Sequence, residues 1–160
     1  MKIAIGSDRR GLEYKTRLIQ YLEKAGHEIE DVGTHEAVPC DSPVFASKVG
    51  ALVAAGKCRY GVLICATGTG MVMAANKVKG VLCGMGYDDE VTRLMREHND
   101  ANVIAFGQNH MAYEEVERRV GIFLQAEFAG LHHALRVKQI KDMEEGKPIE
   151  QSPIINKNWV

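Results

Sequence analysis

The chain has 160 residues, 46% hydrophobic and 26% charged, with 20 Lys+Arg against 21 Asp+Glu for a net charge of −1. Those values exclude a disordered or fibrous chain, and the charge balance gives no general attraction to nucleic acid or to an anionic membrane. No apolar run approaches the ~18 residues of a transmembrane helix, and MKIAIGSDRRG carries charge too early for a secretion signal, so a single cytoplasmic domain with a self-sufficient core is expected.

Lys2–Ser7 is a short apolar run that predicts a strand. Gly11–Ala25 carries apolar residues at 14, 18, 19 and 22, the spacing of a helix, and Gly26 ends it. Glu28–Val32 reads as a second strand. Pro43 opens a helix whose Phe45, Val49, Leu52 and Val53 share a face, with Gly56 as its stop. Tyr60–Ala66 is the most apolar run and predicts a central strand buried on both faces. The sequence TGTGM follows, then a helix to about Val78. Val81–Met85 and Val103–Gly107 read as further strands, separated by a helix over Asp88–His98. Glu114–Gln125 and His133–Glu145 complete the helices.

Alternating β and α elements predict a three-layer α/β/α sandwich, a doubly wound, Rossmann-like fold around a parallel five-stranded sheet. Residues 1–145 form the domain. Residues 146–160 lose periodicity and contain two prolines, which predicts an extended tail, frayed or lying on a neighbouring subunit. Ligands of such sheets bind beyond the carboxyl ends of the strands, where Asp8, Thr67, Tyr87 and Gln108 fall.

The cysteines at 40, 58, 65 and 83 form no C-x-x-C pair, so a structural zinc site is not expected. Cys40, Cys58 and Cys83 read as small buried hydrophobes. Cys65 differs because it ends the central strand and feeds the loop Ala66-Thr67-Gly68-Thr69-Gly70-Met71. Two glycines there let the backbone approach a ligand, and the amides of the following helix start would face an anion. A phosphate-binding loop of the Gly-Lys-Ser/Thr kind is ruled out. A dinucleotide fingerprint fails at Met73, where a third glycine belongs. A thiolate beside such a loop could attack a carbonyl or take a proton from the carbon beside one. The plainer alternative is a buried strand residue.

The residues MKIAIGSD (1–8), Gly26-His27-Glu28, Asp41 with Pro43, Cys65 with Thr67-Gly68-x-Gly70, Ala75-Asn76-Lys77-Val78 and REHNDANV (96–103) form a combined pattern. Phe128-x-Gly130 and Arg136-Val137 extend it. In these stretches the chain resembles ribose-5-phosphate isomerase B and the related galactose-6-phosphate isomerase subunits, over roughly residues 1–140. The resemblance implies an aldose–ketose isomerase that works through a cis-enediolate without metal or cofactor. It implies that Cys65 moves a proton between C1 and C2 and that Thr67 passes one between the sugar oxygens. The amides of Gly68, Thr69 and Gly70 would hold the enediolate oxygen. His98 would open the sugar ring with help from Asp8, and Asn99 would bind hydroxyls. The family is also dimeric or tetrameric, with each site built from two chains. Bland roles compete: His98 complements a helix dipole, Asn99 caps that helix, and Asp8 caps the helix beginning near Gly11.

Four positions depart from the family pattern. Arg9 replaces a usual His, Ser42 a usual Tyr, Asn109 a usual Arg, and His132 the first of two C-terminal arginines, with Arg136 the second. These residues would line the end of the site that takes the substrate's phosphate and ring. The expected ligand is therefore a sugar phosphate or a related sugar that need not be ribose 5-phosphate. Two other readings stand beside the enzyme: a noncatalytic sugar-binding subunit, and a flavodoxin-like nucleotide-binding domain that the glycine spacing disfavours. No role is assigned to His27, His35, His110 or His133. Met71, Met73, Met85, Met95, Met111 and Met143 read as core or interface filler.

Overall fold

The computed structural model describes residues 1–151. Its strands are β1 (Lys2–Ser7), β2 (Glu28–Asp31), β3 (Tyr60–Cys65), β4 (Cys83–Met85) and β5 (Val103–Gly107). Its helices are α1 (Leu12–Lys24), α2 (Ser42–Ala54), α3 (Thr69–Ala75), α4 (Asp89–Glu97), α5 (Tyr113–Gln125) and α6 (Leu131–Glu144). The sheet is wholly parallel in the order β2-β1-β3-β5-β4. Central β3 is buried along its whole length, which is why it reads as an unbroken apolar run.

One sheet face buries Ile3, Ile5, Ile64 and Phe106 against α1, α4 and α5. The other buries Ala4, Leu63, Cys65 and Ala105 against Val49 of α2 and Met71 of α3. The sandwich is therefore doubly wound as expected. The strand direction of travel reverses between β1 and β3, and in such sheets the crevice at that reversal is where ligands bind.

Several boundaries differ from the sequence pattern, with physical reasons. Helix α3 stops at Ala75 rather than Val78 because the Asn76 side chain acts as a strand partner. Its Nδ2 donates to the carbonyls of Val72 and Cys83, and its Oδ1 accepts from Cys83 N, each at 2.9 Å. Val81 and Leu82 lie outside β4 because Leu82 N donates to a side chain, Asn102 Oδ1, at 2.9 Å. Val32 and Ala66 fall just outside β2 and β3. Cys58 is buried as expected, but Cys40 and Cys83 are only half-buried, and no disulfide forms among the four cysteines. Met71 and Met95 fill the core, whereas Met73 and Met143 are exposed.

The amino ends of β3 and β5 are tied to α4 by Arg96. Its guanidinium donates to Tyr60 Oη at 3.0 Å, to Ala101 O at 2.7 Å and to Asp100 Oδ1 at 3.0 Å. Helix α6 belongs to neither main layer: only Val137 is buried, and Leu131, Leu135, Ile140 and Met143 are exposed. Residues 146–151 add no helix or strand, and the rest of the expected extended tail lies outside the described residues. Among the described residues no helix is long and apolar enough to cross a membrane.

The turn between β1 and α1 packs directly on β3. A Cβ on Gly11 would stand 2.4 Å from Ile64 O, a backbone atom that cannot swing away. Gly11→Ala should therefore cost about 2–3 kcal/mol. Urea unfolding should show a lower midpoint with an unchanged slope, and an unmoved midpoint would contradict this packing.

Candidate active site

The loop after β3 is assembled from close backbone contacts. Gly107 lies against it so tightly that an added Cβ would stand 2.6 Å from Thr67 O. The turn after β5 then donates its amides to the loop, Gln108 N to Cys65 O at 2.9 Å and Asn109 N to Ala66 O at 3.1 Å. The Gln108 side chain accepts from Tyr14 N at 3.1 Å, which brings α1 to the same place. Gly68 takes the left-handed conformation, with φ of 80°, and begins α3. A side chain at 68 would also collide, its Cβ 2.7 Å from Met85 Sδ and 2.9 Å from the Phe106 carbonyl carbon. Both constraints demand glycine.

This geometry turns the Gly68 N–H onto the Cys65 sulfur, donating to Sγ at 3.1 Å. Cys65 is 5% exposed, at the base of the loop. Thr67 and Thr69 are exposed above it, with Thr69 N donating weakly to Thr67 Oγ1 at 3.4 Å. Gly70 is open: the nearest atom an added Cβ would meet is Ser42 Oγ, at 3.5 Å. Ser42, the first residue of α2, therefore borders the loop. At the end of β1, Asp8 Oδ1 accepts from Arg10 N at 2.9 Å and Gly11 N at 3.2 Å. Asp8 thus fixes the turn into α1, although Gly11 rather than Asp8 occupies the cap position. Arg9 is exposed and has no ion pair among the described residues. Asp8, Arg9, Ser42, Cys65, Thr67, Gly68, Thr69, Gly70 and Asn109 all lie around the carboxyl ends of the strands.

The remaining candidates do not. Cys65 pairs with Gly107, and Gly61 pairs with Val103, so β5 begins at the opposite edge of the sheet from the loop. The four residue steps from Val103 to Gly107 span about 13 Å. His98 caps the C-terminus of α4, which leads into the start of β5, and Asn99 follows it. His132 and Arg136 are carried to His98 by α6. The His98 and His133 rings stack 3.9 Å apart at 12°, and His132 lies 3.9 Å from His133 at 41°. Asn99 lines a hollow of about 260 Å³ with Asn76, Cys83, Met95 and Ile140. The candidates therefore form two groups at opposite edges of one chain.

Sequence reasoning missed His133, which joins His98 to His132; it placed Gln108 at the ligand end of the sheet but not as the brace of the loop. Adjacency to His132 at a helix start is the one signal His133 offers, and it does not reveal which residue the ring will meet. Burial pushes the Cys58 thiol up and Cys83 up to about 12, so both stay protonated near neutral pH. Among the described residues no three His, Cys, Asp or Glu side chains are arranged to hold a metal.

Burial, and after it the neighbouring His98, His132 and Arg136, holds His133 below the ordinary imidazole value of 6.5. Between the lowered value and 6.5 the unfolded chain binds more protons at this residue than the folded chain does. Its neutral ring is therefore compatible with full stability above about 6.5, and stability falls as pH drops towards the lowered value. The thermal midpoint should decrease on acidification from about pH 7 to about pH 5, and less steeply in His133→Gln. Equal slopes in the two proteins would contradict the assignment.

A family model for Ribose/Galactose Isomerase matches residues 3–140. Ribose-5-phosphate isomerase B of Escherichia coli is 37% identical over 144 residues, covering 90% of this chain and 97% of that protein. The structure of Clostridium thermocellum ribose-5-phosphate isomerase B superposes with a TM-score of 0.90 at 40% identity, over 91% of this chain and 99% of that one. The Mycoplasma genitalium ribose-5-phosphate isomerase B, solved with bound ribulose 5-phosphate, superposes with a TM-score of 0.87 at 34% identity, covering 90% and 96%. The chain belongs to the ribose/galactose isomerase family.

Proposed function

We propose that this protein is an aldose–ketose isomerase for a small sugar phosphate of the ribose 5-phosphate/ribulose 5-phosphate type, or a related sugar, acting through a cis-enediolate with Cys65 as base. The observation that carries the reading is the loop that aims the Gly68 N–H at Cys65 Sγ from 3.1 Å. Family membership supports the reaction class. A hydrogen on carbon beside a carbonyl is weakly acidic, so the reaction needs a base and a means of holding charge on oxygen.

In this reading His98, with Asp8 assisting, opens the sugar ring. The Cys65 thiolate removes the proton from C2 of the aldose, and the C2 electron pair becomes the C1–C2 double bond of the enediolate. The Gly68 N–H supports the thiolate at Cys65 and is shared with the oxygen on which charge develops, which the amides of Thr69 and Gly70 hold beside it. Thr67 passes a proton between O1 and O2, and Cys65 returns its proton to C1. Nothing leaves the sugar, and C1 is reduced as C2 is oxidised. Asn99 binds hydroxyls. Arg9, Asn109, His132, Arg136 and Ser42 hold the phosphate and ring end.

These roles need a second chain. About 13 Å of sheet separates the loop from the His98 edge, further than one small sugar phosphate can span while both act on it. We infer a homodimer, or a tetramer built from two such dimers, in which the loop of one subunit faces His98, Asn99, His132 and Arg136 of the other. The exposed Leu131, Leu135, Ile140 and Met143 of α6 supply apolar surface for such an association.

Steady-state rates across pentoses and hexoses, with and without phosphate, test the reaction class. Isomerisation by the purified chain is expected. Its absence from a folded protein would favour the noncatalytic subunit. Cys65→Ala and His98→Ala should each lose at least about 100-fold in kcat. Refolding the two together should restore roughly a quarter of wild-type activity, because half the statistical dimers carry one intact site of two. Mixed variants as inactive as the separate ones would rule out the shared site.

A further inference from the structure

We propose that His133 is a positioning residue whose ring, stacked on His98, sets the plane of the His98 imidazole while leaving both His98 nitrogens to the substrate. The inference rests on the role given above to His98. A functional histidine is usually oriented by a hydrogen bond from one ring nitrogen to a carboxylate or carbonyl. That device occupies one of the two nitrogens. Among the described residues no hydrogen bond or ion pair holds the His98 ring. Its backbone is fixed, N donating to Leu94 O at 2.8 Å, but the side chain is held through its face, 3.9 Å from His133 and 12° from parallel.

The placement of His133 is built at a cost. Two consecutive residues at the start of its helix have positive φ, Gly130 with φ of 65° and Leu131 with φ of 50°. The leucine conformation costs about 1–2 kcal/mol. Burial of that side chain does not offset it within the chain, since Leu131 is 84% exposed. The turn is tied to α4 by Ala129 N donating to Glu97 O at 2.9 Å, one residue before His98. His133 N donates to Gly130 O at 3.0 Å, which closes the first turn of α6. An apolar stripe does not set the register of this helix, because Val137 is its single buried residue. The positive-φ pair and the Glu97 contact converge on one result, the His133 ring flat against His98.

Burial and the surrounding imidazoles and Arg136 keep His133 below the ordinary histidine value, so near neutral pH it stacks as an uncharged ring. An uncharged aromatic face also tolerates a proton on His98 better than a second cation would. His132, tilted at 41° on His133, extends the stack.

The test compares His133→Phe, which keeps a flat ring, with His133→Ala, which does not. The readouts are kcat, KM and the NMR shift of the His98 ring protons without substrate. His133→Ala should lower kcat about tenfold with KM within about twofold, and His133→Phe should stay within about threefold of wild type. The upfield ring-current shift of His98 should disappear in His133→Ala and persist in His133→Phe. Equal loss of kcat in both variants, or a His98 resonance unmoved in His133→Ala, would overturn the proposal. The NMR comparison needs no turnover. A wild type inactive on every sugar would therefore count against the isomerase reading and leave the stack to be judged by His98 alone.

Discussion

The structure depends on how closely three backbone segments meet at the carboxyl end of β3. Gly11 lies against Ile64, and Gly107 against Thr67, at separations that exclude even a methyl group. The amides of Gln108 and Asn109 then satisfy the carbonyls of Cys65 and Ala66. A loop held this way has little freedom, and its next residue, Gly68, turns left-handed and delivers its N–H to sulfur. Preorganised donors are valuable because they need not rearrange when charge appears. Here the preorganisation comes from β1, β3 and β5 together, so it is a property of the sheet rather than of the loop alone.

A second consequence of the topology concerns the other half of the candidate site. In a parallel sheet each helix runs antiparallel to its strands, so a residue at a helix C-terminus is returned to the amino edge. His98 sits there, and α6 brings His132 and Arg136 to it. The arrangement accounts for an α6 that buries so little in its own chain. Its apolar side chains stay exposed, while its first turn carries the imidazoles. The two edges would meet only in the assembly proposed above, where the loop of one chain faces the His98 edge of another.

The fold was largely legible in the sequence, because strand and helix periods alternate cleanly and glycines mark most of the stops. The boundaries that moved did so through side chains. Asn76 and Asn102 replace backbone partners, and nothing in hydrophobic periodicity signals that. The glycine loop was legible for a related reason: glycine at 68 answers a steric demand that shows as a residue type. The division of the site was not, since spacing along the chain says nothing about which edge of the sheet receives each residue. His133 was illegible because its role lies in a contact between two elements thirty-five positions apart, set by a left-handed leucine that sequence alone does not announce. The departures Arg9, Ser42, Asn109 and His132 were legible as differences. Arg9, Ser42 and Asn109 fall at the loop edge and His132 at the opposite edge, a distribution that needed the coordinates.

The account turns on Cys65 acting as a base on carbon. The most direct measurement is deuterium incorporation from D2O into the C1 or C2 position of the sugar, followed by NMR with wild type and Cys65→Ala. Exchange by the wild type that is lost in a folded Cys65→Ala protein is the predicted result. Isomerisation at full rate by Cys65→Ala, with deuterium still entering at carbon, would contradict it and place the base elsewhere.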